Sequence, residues 1–226
     1  MSGGSEPAPS KLLERVELGR PAGLWEGHLA DGRADAMRRL LSWMEPLRGL
    51  EVLDAGCGHG TVAVELARRG AHVLACDRDL GRARSAASRA RSGAPRAHAA
   101  GAGLAVIVAD LAAAAPWGDG PTTWLCWELF EHLSIEQRRG LLRVMEESRA
   151  SALFFAARVE SRLGALVAPL LDSSKRGAGE HASPLPTLDP VLLLREIHLE
   201  TDLRLERTET LTRRNGALAL AQMRRP

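Results

Sequence analysis

The stretch VLDAGCGHGT, residues 52–61, decides the fold. Four residues with strand character end at Asp54–Ala55, and glycines follow at every second position: Gly56, Gly58 and Gly60. A run of this kind is a strand turning sharply into a helix, because glycine takes backbone conformations closed to other residues and leaves no Cβ between the turn and whatever approaches it. The helix that follows, GTVAVELARRG, ends at Gly70 and presents unpaired N–H groups at its start.

Outward from this turn, short apolar runs alternate with helical stretches. HVLACD (72–77), LAVIVAD (104–110), TTWLCWE (122–128) and SALFFAA (151–157) read as further strands. Between them lie an Arg/Ala helix, a loop or frayed helix end over 93–103, and a helix around 134–149. SRLGALVAPLL and DPVLLLREIH read as helices separated by a polar loop at 172–187. LRLERTETL and NGALALAQM then form two strands joined by a turn containing Asn215–Gly216. The alternation predicts a Rossmann-like, doubly wound α/β fold: a mostly parallel seven-stranded sheet with helices on both faces and an antiparallel C-terminal edge strand. Ahead of it, residues 1–46 divide into a polar tail, MSGGSEPAPSK, a short helix at KLLERVEL, and a helical segment with Met37, Leu40, Leu41 and Met44 on one stripe. This segment is expected to be a lid, and residues 47–226 the ligand-binding domain.

The composition fits one soluble globular core: 226 residues, 45% hydrophobic and 26% charged, with a formal net charge of +2. No apolar run approaches the roughly 18 residues of a membrane span, and the N-terminus lacks an apolar signal core, so the chain reads as cytoplasmic. The densest basic segment, RDLGRARSAASRARSGAPR (78–96), reads as a solvated helix face. Cys57, Cys76 and Cys126 are odd in number, share no CxxC spacing and fall at strands, which points to small buried hydrophobes and away from a zinc site.

The glycine spacing distinguishes ligands. A dinucleotide fingerprint is G-x-G-x-x-G, but here the third glycine comes one position early and Thr61 stands where the fingerprint needs glycine. A triphosphate loop needs a lysine after its last glycine, and His59-Gly60-Thr61 supplies none. Three carboxylates accompany the loop at strand ends. Asp54 can order the loop and face an ammonium, Asp77 can accept both hydroxyls of a ribose, and Asp110 can take the exocyclic amine of an adenine. Each alone could instead cap the next helix.

VLDAGCGHGTVAVELARRGAHVLACDRD resembles the opening motifs of class I S-adenosylmethionine-dependent methyltransferases, and the likeness runs through roughly residues 50–135. The resemblance implies that Gly56, Gly58 and Gly60 hold the methionine end of the cofactor, Asp77 the ribose and Asp110 the adenine. Asp54, Cys57, Arg78, Leu111 and Trp127, beside these positions, complete the expected cofactor set. Amino methyltransferases of nucleic acids carry an (N/D)PP(Y/F) element after the fourth strand; here the chain has Trp127-Glu128-Leu129-Phe130 and no tyrosine anywhere, which disfavours a nucleic-acid acceptor. ELARRGAHVLACD, SALFFAA and NGALALAQMRR are similar to magnesium-protoporphyrin O-methyltransferases, which esterify a propionate carboxyl. That likeness matches His132 to a histidine after strand four and SSKRG loosely to a basic loop, while the aromatic N-terminal segment is replaced by GLWEGHLADGR.

The expected chemistry is a direct displacement on a small-molecule acceptor. An ionised carboxylate needs no base; a hydroxyl does, and His132 is the candidate. Glu128, Arg158, Trp25 and His28 are the candidates for lining the acceptor pocket. The alternative from another class is a protein of this fold that binds the cofactor and acts as a non-catalytic scaffold or regulatory partner. A nicotinamide oxidoreductase is disfavoured by the glycine spacing and by the lack of a Tyr-x-x-x-Lys pair.

Overall fold

The computed structural model describes residues 33–99, 102–113, 120–159, 187–213 and 216–226. They form helix α1 (Arg33–Trp43), strand β1 (Glu51–Ala55), α2 (Thr61–Arg68), β2 (His72–Asp77), α3 (Leu80–Ala99) and β3 (Leu104–Val108). Then come β4 (Thr123–Trp127), a 3-10 turn (Phe130–His132), α4 (Ile135–Glu147), β5 (Ala152–Val159), α5 (Pro190–Glu200), β6 (Arg204–Arg213) and β7 (Gly216–Arg224). The segments KLLERVEL and SRLGALVAPLL, read as helices, lie outside the described residues, as do Trp25 and His28.

The seven strands make one sheet in the order β3-β2-β1-β4-β5-β7-β6. β1 to β5 pair in parallel, and β7 runs antiparallel to both β5 and β6. The antiparallel C-terminal strand is therefore present, one place in from the edge, because β6 passes beyond it and β7 returns into the gap beside β5. Starting at β1, the chain moves outward through β2 and β3, then crosses back to β4, so the order reverses between β1 and β4. Ligands of open α/β sheets bind at the carboxyl ends of the strands at such a reversal.

Alternating side chains divide between two cores. Val52, Val73, Leu125, Phe154, Leu218 and Leu220 face a core shared with α1 and α2. Leu53, Trp124, Cys126, Leu153, Phe155 and Met223 face the other, filled from α4 and α5. The stripe of Met37, Leu40, Leu41 and Met44 is buried in the first core, and α1 lies against β5 and β7. α4 starts at a capping box between Ser134 and Gln137, and α5 at Asp189 with Pro190 in its first turn.

Two of the boundary differences bear on the site. α3 continues through Gly93 and Pro95 to Ala99, where a loop or frayed end was expected; the alanines there have the highest helix propensity and carry the helix past both breakers. β3 stops at Val108, so Asp110 sits two residues beyond the strand. No helix among the described residues is long and apolar enough to cross a membrane.

Candidate functional site

The glycine loop joins β1 to α2 at the point of reversal. Gly56, Gly58 and Gly60 have φ of 70°, 54° and 74°, a left-handed conformation that residues with a Cβ rarely adopt. The Cys57 N–H donates to the Cys76 carbonyl on β2 at 2.9 Å, and the Gly60 N–H donates to the Cys57 carbonyl, closing the turn. The glycines have different neighbours. A Cβ on Gly60 would stand 2.7 Å from Ala86 Cβ and 2.9 Å from its Cα, so this glycine lets α2 and α3 approach. A Cβ on Gly56 would meet Leu129 Cδ1 at 2.6 Å, whereas one on Gly58 would meet nothing within 4 Å.

The carboxylates take distinct positions around this loop. Asp54 is 1% exposed, and its Oδ2 has no hydrogen-bond partner among the described residues. Burial pushes its carboxyl up to about 7; the Ala63 N–H at the start of α2 pulls it down, and the nearby Asp77 charge adds to the rise. Asp77, also buried, accepts from the Gly58 N–H through Oδ2 at 2.8 Å and from the Asp79 N–H through Oδ1 at 2.9 Å. It therefore stitches the end of β2 to the middle of the loop, and each oxygen keeps a second lone pair for a ligand hydroxyl. Asp110 is exposed, and its Oδ1 accepts from the Ala112 N–H at 3.0 Å, so it also orders the turn after β3. Leu111 beside it is buried, Arg78 is exposed, and Trp127 is half-buried at the end of β4. Cys57, Cys76 and Cys126 are buried free thiols, all pushed up first by desolvation.

The acceptor-side candidates lie at the ends of β4 and β5. Glu128 and Arg158 are brought together: the Arg158 Nη2 and Nε donate to Glu128 Oε2 at 2.9 and 3.1 Å. Arg33, the first residue of α1, donates to the same oxygen. Glu131 lies in the turn after β4 with its side chain fully enclosed; its Oε1 accepts from the Arg158 N–H at 3.2 Å. Burial pushes Glu131 up to about 8; its own backbone hydrogen bond pulls it down, Glu128 pushes it further and Arg33 counters. Phe130, packed edge-on against Phe155 with ring centroids 5.4 Å apart, fixes this turn to β5. His132 closes the turn with an exposed imidazole that makes no hydrogen bond among the described residues.

Arg33 and Glu131 carry no signal in the sequence that marks them for this group. Arg33 meets Glu128 across 95 positions, a pairing set only by how α1 crosses the sheet. Glu131 differs from other helix-turn acids only by its burial.

Residues 52–148 match the methyltransferase domain family. The ubiquinone biosynthesis O-methyltransferase of Sinorhizobium fredii is 37% identical over 94 residues, which are 40% of this chain and 34% of that protein. The magnesium-protoporphyrin O-methyltransferase of Rhodobacter capsulatus is 53% identical over 49 residues, 21% of each chain. The matched region thus spans about a third or less of the curated relatives' length. Among solved structures, magnesium protoporphyrin IX methyltransferase from Synechocystis PCC 6803 with bound S-adenosylhomocysteine superposes with a TM-score of 0.68 at 19% identity, covering 86% of this chain and 84% of that one. A glycopeptide N-methyltransferase superposes with a TM-score of 0.63 at 15% identity, covering 87% of this chain and 91% of that one. Residues 52–148 thus match a methyltransferase domain, and the described residues share the fold of these methyltransferase structures.

Proposed function

We propose that this protein is an S-adenosylmethionine-dependent methyltransferase acting at an oxygen of a small-molecule acceptor, a carboxylate or a hydroxyl, in a biosynthetic reaction. A tetrapyrrole propionate is the particular candidate. The observation that carries the reading is Asp54: a carboxylate 1% exposed, with one oxygen lacking a partner among the described residues, beside a loop of three left-handed glycines. A buried carboxylate of this kind calls for a cationic partner, and the ammonium of the cofactor's methionine end provides one. The open space at Gly58 leaves room for that end to lie against the loop backbone. The names of the relatives, both O-methyltransferases, support oxygen as the acceptor atom.

In this reading the glycine loop and Asp54 hold the methionine end, Asp77 the ribose hydroxyls and Asp110 the adenine amine. Cys57, Arg78, Leu111 and Trp127 border the same cofactor. Bound there, S-adenosylmethionine supplies a sulfonium methyl already activated for attack. The chain's contribution is alignment and the exclusion of water, which raise the rate without covalent participation. Glu128 and Arg158 line the acceptor side. An ionised carboxylate acceptor needs no proton removed, whereas a hydroxyl acceptor surrenders its proton to His132.

The test is release of S-adenosylhomocysteine from S-adenosylmethionine in the presence of a panel of phenols, alcohols and carboxylic acids. With a hydroxyl acceptor, His132→Ala should lower kcat by roughly 10²–10⁴, the usual worth of a general base, and with a carboxylate acceptor the loss should be much smaller. An unchanged rate on a hydroxyl acceptor makes His132 structural. Cofactor binding with no methylated product from any acceptor would favour the scaffold alternative.

Residues 10–46 are proposed to serve as a lid over the acceptor, with the apolar stripe of α1 as the part that docks on the sheet. Deleting residues 1–30 should spare affinity for S-adenosylhomocysteine and abolish methyl transfer. A truncated protein that methylates at the full rate would show that the segment is not a lid.

A further inference from the structure

Among the described residues, two non-glycine residues have positive φ, Glu128 at 48° and Arg149 at 52°. Arg149 lies in an exposed turn after α4, remote from the strand ends that carry the site. Glu128 is at the carboxyl end of β4, in the middle of it. The strand remains intact there, since the Glu128 N–H still donates to the Ala156 carbonyl on β5 at 2.7 Å. The side chain, 9% exposed, receives guanidinium groups from two other elements: Arg33 from α1 and Arg158 from β5, both on Oε2. The residue after it, Leu129, packs over the first glycine of the loop, its Cδ1 2.6 Å from where a Gly56 Cβ would be.

A residue with a side chain stays in the left-handed region only where its surroundings hold it there. Charge-assisted bonds converging on one largely buried carboxylate are the strongest non-covalent restraint available at this position. We propose that Arg33 and Arg158 are positioning residues for the cofactor site: by clamping Glu128 they hold the left-handed turn that seats Leu129 on Gly56. Helix α1, through Arg33, thereby helps set the glycine loop. With the clamp released, Glu128 relaxes toward negative φ, Leu129 is redirected, and the loop loses the wall against its first glycine. The inference rests on the methyltransferase reading given above.

The test is S-adenosylhomocysteine binding by isothermal titration calorimetry, with thermal melting as the check on folding. Arg33→Ala and Arg158→Ala should each weaken binding roughly tenfold, the scale set by local backbone strain of this kind, while melting stays cooperative. Arg33→Lys, which keeps the charge, should recover part of the loss. The decisive variant adds Glu128→Gly to Arg33→Ala. Glycine adopts positive φ without a clamp, so affinity should return to within about twofold of wild type. A general loss of packing at α1 would not be repaired by that change. Wild-type affinity in both arginine variants, or no recovery with Glu128→Gly, overturns the clamp while leaving the methyltransferase reading in place. Failure of the wild-type protein to bind S-adenosylhomocysteine overturns that reading, and the clamp with it.

Discussion

Asp54→Asn should stabilise the ligand-free protein at neutral and alkaline pH and at the same time remove most of its affinity for S-adenosylhomocysteine. The two effects have one cause. Asp54 is 1% exposed with one oxygen unsatisfied among the described residues, so its ionised form is costly in the folded chain. Burial raises its carboxyl from 3.8 to about 7, which means the folded state binds the proton more tightly than the unfolded one. The stability this proton confers is full below about pH 3.8 and is lost as pH rises through about 7. Asparagine carries no charge, so the advantage of the variant should grow across that window and level off above it, at about 4 kcal/mol. With Asp54 facing the cofactor's ammonium, as proposed, loss of its charge should weaken S-adenosylhomocysteine binding by about 1.5–3 kcal/mol. Thermal melts from pH 4 to 8, with calorimetry at pH 8, check both. Parallel stability profiles would contradict the costly buried charge, and unchanged affinity would remove Asp54 from the cofactor site.

Gly60→Ala should cost more stability than any other single change in the loop, and Gly58→Ala should separate folding from binding. At Gly60 an added Cβ must take φ of 74°, at about 1 kcal/mol, and would stand 2.7 and 2.9 Å from Ala86 Cβ and Cα. Ala86 Cα is backbone, so α2 and α3 must separate, an overpacking cost of about 1–3 kcal/mol. The sum of about 2–4 kcal/mol lowers Tm by roughly 5–15 °C in a chain of this size. At Gly58 the added Cβ meets nothing within 4 Å, so only the backbone cost of about 1 kcal/mol remains. The same methyl would nevertheless project beside the loop where the cofactor's methionine end is proposed to lie, so binding should fall sharply in a protein that melts nearly as wild type. Equal melting temperatures for the two variants would contradict this division of roles between the glycines.

The loop itself was legible in the sequence, because three glycines at alternate positions behind a strand suit little besides a tight strand-to-helix turn, and because Asp54 and Asp77 recur at strand ends. Helices on both faces followed from the alternation of strands and helical stretches, and the core divides accordingly, with Leu153 and Phe155 facing one side and Phe154 and Ala156 the other. The place of β7 between β5 and β6 was not legible, since two adjacent antiparallel strands can attach to a sheet edge in either order. Nor was the double use of Asp77, whose grip on the Gly58 and Asp79 amides depends on how the loop folds back over β2. The sequence offers Glu128 and Arg158 as separate candidates, but their contact, and the arrival of Arg33, come from packing between elements 30 and 95 residues apart in sequence. Local periodicity contains no term for such distances.

The turn at residues 56–60 is proposed to be shaped for S-adenosylmethionine and its product, and calorimetric titration of the full chain with S-adenosylhomocysteine and, separately, with NAD tests this most directly. S-adenosylhomocysteine should bind saturably at one site and NAD should give no response. Asp77→Ala should weaken the S-adenosylhomocysteine interaction by about 1.5–3 kcal/mol, the range for hydrogen bonds to a charged group. Saturable NAD binding with no response to S-adenosylhomocysteine would contradict the account at its root.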